Sequence, residues 1–282
     1  MRDVHLADLT ELVSRLSIES NINLREDVRC ALEGAVESER SERGREVIEQ
    51  ILQNARAAER ERIPLCQDTG YVTAFLEIGR EIRIVGASSL REAVDEGVRR
   101  GYERGNLRAS VVDDVCFERT NTGDNTPAAI HVELVEGDGF SVTMFPKGAG
   151  SDNASRLGML GVAEGVDGAE SFVADAVVAS AANACPPVIV GVGIGSSFDG
   201  VALLAKKALL RTVGRSHPDA RVAGLERRVL ERVNRSGVGP GGLGGTVTAL
   251  AVHVETAPCH MASFPVAVNL SCHVLRSASG RL

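Results

Sequence analysis

Between residues 6 and 61 apolar side chains recur every three or four positions, with Leu9, Leu12, Val13 and Leu16 first and Val47, Ile48, Ile51 and Leu52 later. At Arg62-Ile63-Pro64 that rhythm stops. Beyond the proline, apolar residues come in short runs separated by polar and glycine-rich turns, so strands must share the chain with helices. The first region is expected to form two to four helices. Residues 72–78 and 82–85 read as a strand pair around Gly79-Arg80-Glu81, and residues 130–135 and 140–144 as a hairpin around Glu136-Gly137-Asp138-Gly139. Helical patterns return at 88–104, capped by Ser88 or Ser89, and at 166–182, 201–210 and 222–233, with a buried strand at 188–192. Strands at 247–255 and 262–270 close the series. The fold class is α+β: a helical N-terminal region over 1–61, then a core over 62–282 of mixed and antiparallel sheets flanked by helices. With no repeat and no low-complexity linker, the 282 residues are expected to form a single domain.

Composition narrows the function classes. There are 31 Lys+Arg against 38 Asp+Glu, a formal charge of −7, which argues against a nucleic-acid surface. No Trp, 2 Tyr and 7 Phe leave few stacking platforms, whereas 30 Gly demand an explanation in turns and close backbone approaches. No run reaches the ~20 apolar residues of a membrane helix, and the charged start Met1-Arg2-Asp3 lacks a secretory apolar stretch, so a cytoplasmic location is expected. Six cysteines without a CxxC pair are too sparse for a disulfide scaffold. In a reducing compartment they are thiols, catalytic groups or metal ligands.

Several short segments could carry chemistry. Cys66-Gln67-Asp68-Thr69-Gly70 offers a thiol, an amide and a carboxylate from one turn, although Asp-Thr-Gly is also ordinary turn chemistry. Asn183-Ala184-Cys185-Pro186-Pro187 places a cysteine where prolines stop a helix and stiffen the loop. Cys272 ends an apolar strand in Asn269-Leu270-Ser271-Cys272-His273, and His260 stands shortly before it in Pro258-Cys259-His260. Residues 121–127, Asn-Thr-Gly-Asp-Asn-Thr-Pro, read as a surface Asx turn. Glycines in Pro146-Lys147-Gly148-Ala149-Gly150-Ser151 allow backbone N–H groups to approach an anion, and Arg108 offers a fork for a carboxylate or an internal ion pair. Gly191-Val192-Gly193-Ile194-Gly195, between a strand and a helix, approximates a dinucleotide loop but has its third glycine one residue early. A nucleotide-binding oxidoreductase is the competing class.

Taken in order, CQDTG, NTGDNTPA, PKGAGSDN, NACPP, GVGIG, LGG and NLSCH resemble the N-terminal half of class I, iron–sulfur-dependent fumarate hydratases and the alpha subunit of L-tartrate dehydratase, over roughly residues 60–275. The resemblance implies the fold of the N-terminal domain of class I fumarases and a [4Fe–4S] cluster held by Cys66, Cys185 and Cys272, with one iron open as a Lewis acid. It implies reversible hydration of fumarate to malate, a tricarboxylic acid cycle step, or the corresponding dehydration of tartrate. Gln67, Asp68, Arg108, Gly148 and Gly150 are expected to bind the small dicarboxylate. Asp68 is expected to move a proton near the departing hydroxyl, and His260 to hydrogen bond beside the cluster. Single-chain members continue into a second domain that carries the base. This chain is therefore expected to work as an alpha subunit with a separate beta subunit, and the pairs to dimerise.

Overall fold

The computed structural model describes residues 1–282. In chain order it contains β1 (Arg2–His5), α1 (Leu6–Ile22), α2 (Glu26–Ser38), α3 (Glu42–Glu61), β2 (Tyr71–Gly79), β3 (Ile82–Val85), α4 (Leu90–Arg104), β4 (Ala129–Val135) and β5 (Phe140–Lys147). There follow α5 (Ala149–Asn153), β6 (Arg156–Leu160), α6 (Gly165–Ser180), β7 (Val188–Gly195), α7 (Phe198–Ala208), α8 (Ala220–Asn234), β8 (Ala249–Ala257), β9 (Phe264–Ser271) and β10 (Ala278–Arg281). The mixed α/β class matches the expectation, and the helical N-terminal region resolves into three helices behind a short strand. No helix is long and apolar enough to cross a membrane.

The chain packs into two compact units, neither continuous in sequence. The first comprises Met1–Leu24, Ala55–Ala149 and Arg276–Leu282; the second comprises Arg25–Asn54 and Gly150–Leu275.

In the first unit a four-stranded sheet runs in the order β10-β5-β2-β4, beside a two-stranded β1-β3 sheet. Alternate residues of β2 and β5, among them Ala74, Leu76, Val142 and Met144, bury against Leu9, Val13 and Leu16 of α1 and Val94, Val98 and Tyr102 of α4. Ser89 caps α4 in a reciprocal box with Glu92, as the Ser88/Ser89 signal implied. Two pairings differ from expectation. β4 and β5 form no hairpin ladder, because β2 lies between them, parallel to β4 and antiparallel to β5. β2 is buried on both faces over Val72–Leu76, which suits the middle of a sheet rather than an edge. With both its edges occupied, β2 cannot pair with β3, which joins β1 in parallel. The loop from β4 to β5 crosses the end of β2, where Gly79, Arg80 and Glu81 donate N–H groups to the carbonyls of Gly139, Val135 and Gly137.

In the second unit the order is β6-β9-β7-β8, with β7 parallel to β8 and antiparallel to β9. One face packs Val190, Val192, Val252, Val254 and Leu270 against α6 and α8 through Val173, Val177, Leu225 and Val229. The other face receives α7 through Val201 and Ala205. A Cβ on Gly191 would lie 2.2 Å from the Ala205 carbonyl oxygen, and one on Gly193 2.3 Å from that of Val201. These glycines therefore exist to let α7 approach the strand, and they sit inside β7 rather than in a phosphate loop. The nucleotide-binding alternative loses its motif.

Candidate active site

Within the first unit, Leu65 N–H is anchored on the Asn21 carbonyl (2.8 Å), and residues 66–70 form an irregular turn into β2. Gln67 is exposed, while Cys66 and Asp68 are half-buried. Asp68 is pinned at both oxygens: Oδ1 accepts from Gly70 N–H (3.0 Å) and Oδ2 from Ala149 N–H (2.8 Å). Charge-assisted bonds of this kind fix a carboxylate's rotamer. Thr69 Oγ1 donates to the Arg108 carbonyl (2.6 Å), and the buried Tyr102 hydroxyl donates to the carbonyls of Thr69 (2.8 Å) and Gly70 (3.2 Å). Burial pushes the Tyr102 pKa up, so it remains a donor.

Asn125, read from sequence as a surface turn residue, is fully buried with a left-handed φ of 61°, a conformation asparagine tolerates. Its Nδ2 donates to the Gly70 carbonyl (3.1 Å) and its Oδ1 accepts from Ser110 N–H (2.7 Å). The turn at Asp68, the segment of Arg108 and the strand end at Gly148 are thereby brought together. Arg108 itself has an exposed side chain. At Gly148 a Cβ would stand 2.9 Å from Asp68 Oδ2, so the glycine keeps the space beside the carboxylate open. Sequence reasoning also missed Arg276. Only 3% exposed, it donates through Nη1 to the Asp68 carbonyl (2.7 Å) and to Asn21 Oδ1 (3.0 Å).

In the second unit, Cys185 caps a 3-10 turn with a left-handed backbone (φ 54°), and Cys272 follows the last residue of β9. β7 and β9 pair Ile189 with Ser271, so both cysteines stand at the same edge of the sheet. His273 joins them: its N–H reaches the Cys185 carbonyl at 3.4 Å and its Nδ1 at 2.9 Å. Burial lowers the His273 pKa, and the bond to Cys185 opposes that shift. Gly150 lies nearby in space, with a Cβ position 3.6 Å from the Asn183 carbonyl oxygen. His260 does not join this group. It stands before β9, while Cys272 stands after it, and eight residues of extended strand span roughly 26 Å. In this chain His260 Nδ1 accepts from Ala262 N–H (3.1 Å), in a cavity shared with Ser196, Ser197, Phe198 and Cys259.

The donor chemistry suits an iron–sulfur cluster. All six cysteines are thiols; Cys185 is exposed and Cys66 and Cys272 are half-buried. Thiolates are the ligands such clusters take. No three His, Cys, Asp or Glu side chains gather tightly enough for a single metal ion, a requirement stricter than that of a cubane, whose bulk spreads its ligands. Cys30, Cys116 and Cys259 belong to none of the matched motifs. Cys30 lies on α2 against Glu26, where burial and that carboxylate raise its pKa.

The Asp68 turn thus gathers a pinned carboxylate, an exposed amide at Gln67, the backbone of Arg108 and the open glycine at 148. The chain belongs to the family described as fumarate hydratase (Fumerase), whose family model matches residues 10–281. It is 41% identical over 278 residues to the "Putative L(+)-tartrate dehydratase subunit alpha" of Methanocaldococcus jannaschii, covering 97% of each chain. It is 33% identical over 270 residues to the L(+)-tartrate dehydratase subunit alpha of Escherichia coli strain K12, covering 94% of this chain and 87% of that one.

Proposed function

We propose that this chain is the alpha subunit of a [4Fe–4S]-dependent hydro-lyase that reversibly hydrates fumarate to malate. The observation that carries this reading is the Asp68 carboxylate, fixed by Gly70 and Ala149 N–H groups where Gln67, the Arg108 segment and Gly148 meet. Cys66, Cys185 and Cys272 would hold the cluster, which supplies, when bound, an iron free to polarise hydroxyl and carboxylate oxygens. The chain's own residues do the rest. Asp68, its rotamer settled in advance, is placed to give a proton to the departing hydroxyl and take it back in hydration. The Gln67 amide orients the substrate, Arg108 binds a carboxylate as a fork, and N–H groups of the Gly148–Gly150 stretch add polar contacts. None of these groups is a base for the carbon-bound proton. That base belongs to a beta subunit, in pairs that dimerise, with the 282 residues serving as one alpha-type domain in the reducing cytoplasm.

Dehydration of L(+)-tartrate is the second reading, supported by the names of the two relatives. The two substrates differ by one hydroxyl. The test is to prepare the chain anaerobically with its candidate beta subunit and assay fumarate, malate and both tartrates. The complex should turn over one of these pairs, and the chain alone none. Asp68→Asn should keep its iron and melting temperature while kcat falls about 10²- to 10⁴-fold. Turnover by the isolated chain, or full iron content after Cys66→Ser, Cys185→Ser and Cys272→Ser are combined, overturns the reading.

A further inference from the structure

Arg276 is a buried cation that forms no direct ion pair. Its two hydrogen bonds, both from Nη1, go to neutral acceptors, the Asp68 carbonyl and Asn21 Oδ1. The Asp68 carboxylate borders the same gap, but it is held by backbone N–H groups and forms no ion pair with the guanidinium. Burying a guanidinium without a counter-charge is costly, and folds tolerate that where an anion arrives from outside. The direction of approach is also defined. Nη2 lies 3.4 Å from the empty Cβ position of Gly148, the same space that Asp68 Oδ2 borders at 2.9 Å. Around the turn, Arg276 meets the Asp68 carbonyl, while the Arg108 carbonyl is held by Thr69 Oγ1, so two arginines attach to consecutive residues of one turn. A dicarboxylate needs a cation at each end.

We infer that Arg276 is a substrate-binding residue, its Nη2 edge receiving one carboxylate of the dicarboxylate across the gap left by Gly148. This rests on the hydro-lyase reading and adds to it a second cation supplied by this chain. Asn21 holds the guanidinium from behind, and the neutral Asn21 amide leaves the charge for the ligand.

The experiment uses the reconstituted complex and succinate, a dicarboxylate that cannot be hydrated, as the probe. Its binding is followed by calorimetry and by competitive inhibition. Arg276→Gln should weaken succinate tenfold to a hundredfold, the range expected when a charged hydrogen-bond partner is lost, and should raise KM by a similar factor with a smaller change in kcat. Because Arg276→Gln could also loosen the fold, Asn21→Asp is the companion. It keeps the guanidinium but supplies a carboxylate beside Nη1, and should weaken succinate in the same direction with the melting temperature held. Wild-type succinate affinity in both variants overturns the inference, as does a fall in kcat with KM unchanged, which would make Arg276 a positioning residue acting through the Asp68 backbone. A wild-type complex that binds succinate through Arg276 yet hydrates nothing would overturn the hydro-lyase reading alone.

Discussion

A single methyl group at residue 148 would enter the space that the Asp68 carboxylate borders. Gly148→Ala should therefore displace Asp68 Oδ2, whose distance to the new Cβ would be 2.9 Å, and misalign the proposed proton donor by a few tenths of an ångström or more. We expect kcat of the complex to fall on the order of 10²-fold, in line with small misplacements of a catalytic group. Thermal denaturation should show little change, since the site lies at a strand end. Equal activity in alanine and wild-type forms would remove Asp68 from the reaction. At this scale the sequence pointed to the turn of Gln67 and Asp68 and to Gly148, which the structure sets side by side, because short motifs preserve local turn chemistry. It did not disclose Asn125 or Arg276. Their roles come from partners far along the chain, Asn125 to Gly70 and Ser110, Arg276 to Asn21 and Asp68, and no local pattern encodes such a partner. His260 shows the converse: twelve residues before Cys272 is near in sequence, yet an extended strand separates the two along this chain.

Elements were easier to find than their neighbours. The apolar runs located β2, β4, β5, β7, β8 and β9, and the serine cap located α4, because periodicity and capping are local. Pairing is decided by which strand can be buried on both sides, a competition among all strands, and β2 won the centre that a hairpin reading had denied it. The glycines of β7 show how packing overrides a motif. Gly191→Ala should push α7 away from the strand, where its Cβ would meet the Ala205 carbonyl oxygen at 2.2 Å. Overpacking of this sort costs about 1–3 kcal/mol or more. Urea denaturation should show the loss, whether or not any nucleotide is present. A variant as stable as wild type would mean that the strand and helix do not touch as described.

For the molecule as a whole, acid should act first through His253. Its side chain is buried in the second unit, and burial lowers its pKa from 6.5 to about 4, aided by the charge of Arg211 and opposed by Glu226. The unfolded chain takes up a proton below about 6.5 that the native state refuses until about 4, so stability falls as pH drops through that window. Between pH 6.5 and 5, above the carboxylate range, the loss should be about 1.5 kcal/mol. Denaturation curves for His253→Gln should be flatter over that interval, and a slope equal to wild type would exclude His253 as the source.

The division into two units bears on how the protein is made. Residues 276–282, with β10 and Arg276, follow the entire second unit in the chain but belong to the first. On a ribosome, which releases the N-terminus first, the outer strand of the first unit's sheet and the guanidinium beneath Asp68 are the last parts of that unit to emerge. The carboxylate turn thus waits on residues 276–282 before its native setting is complete. A chain arrested just short of Arg276 would lack the cation beneath Asp68 however much of it had emerged.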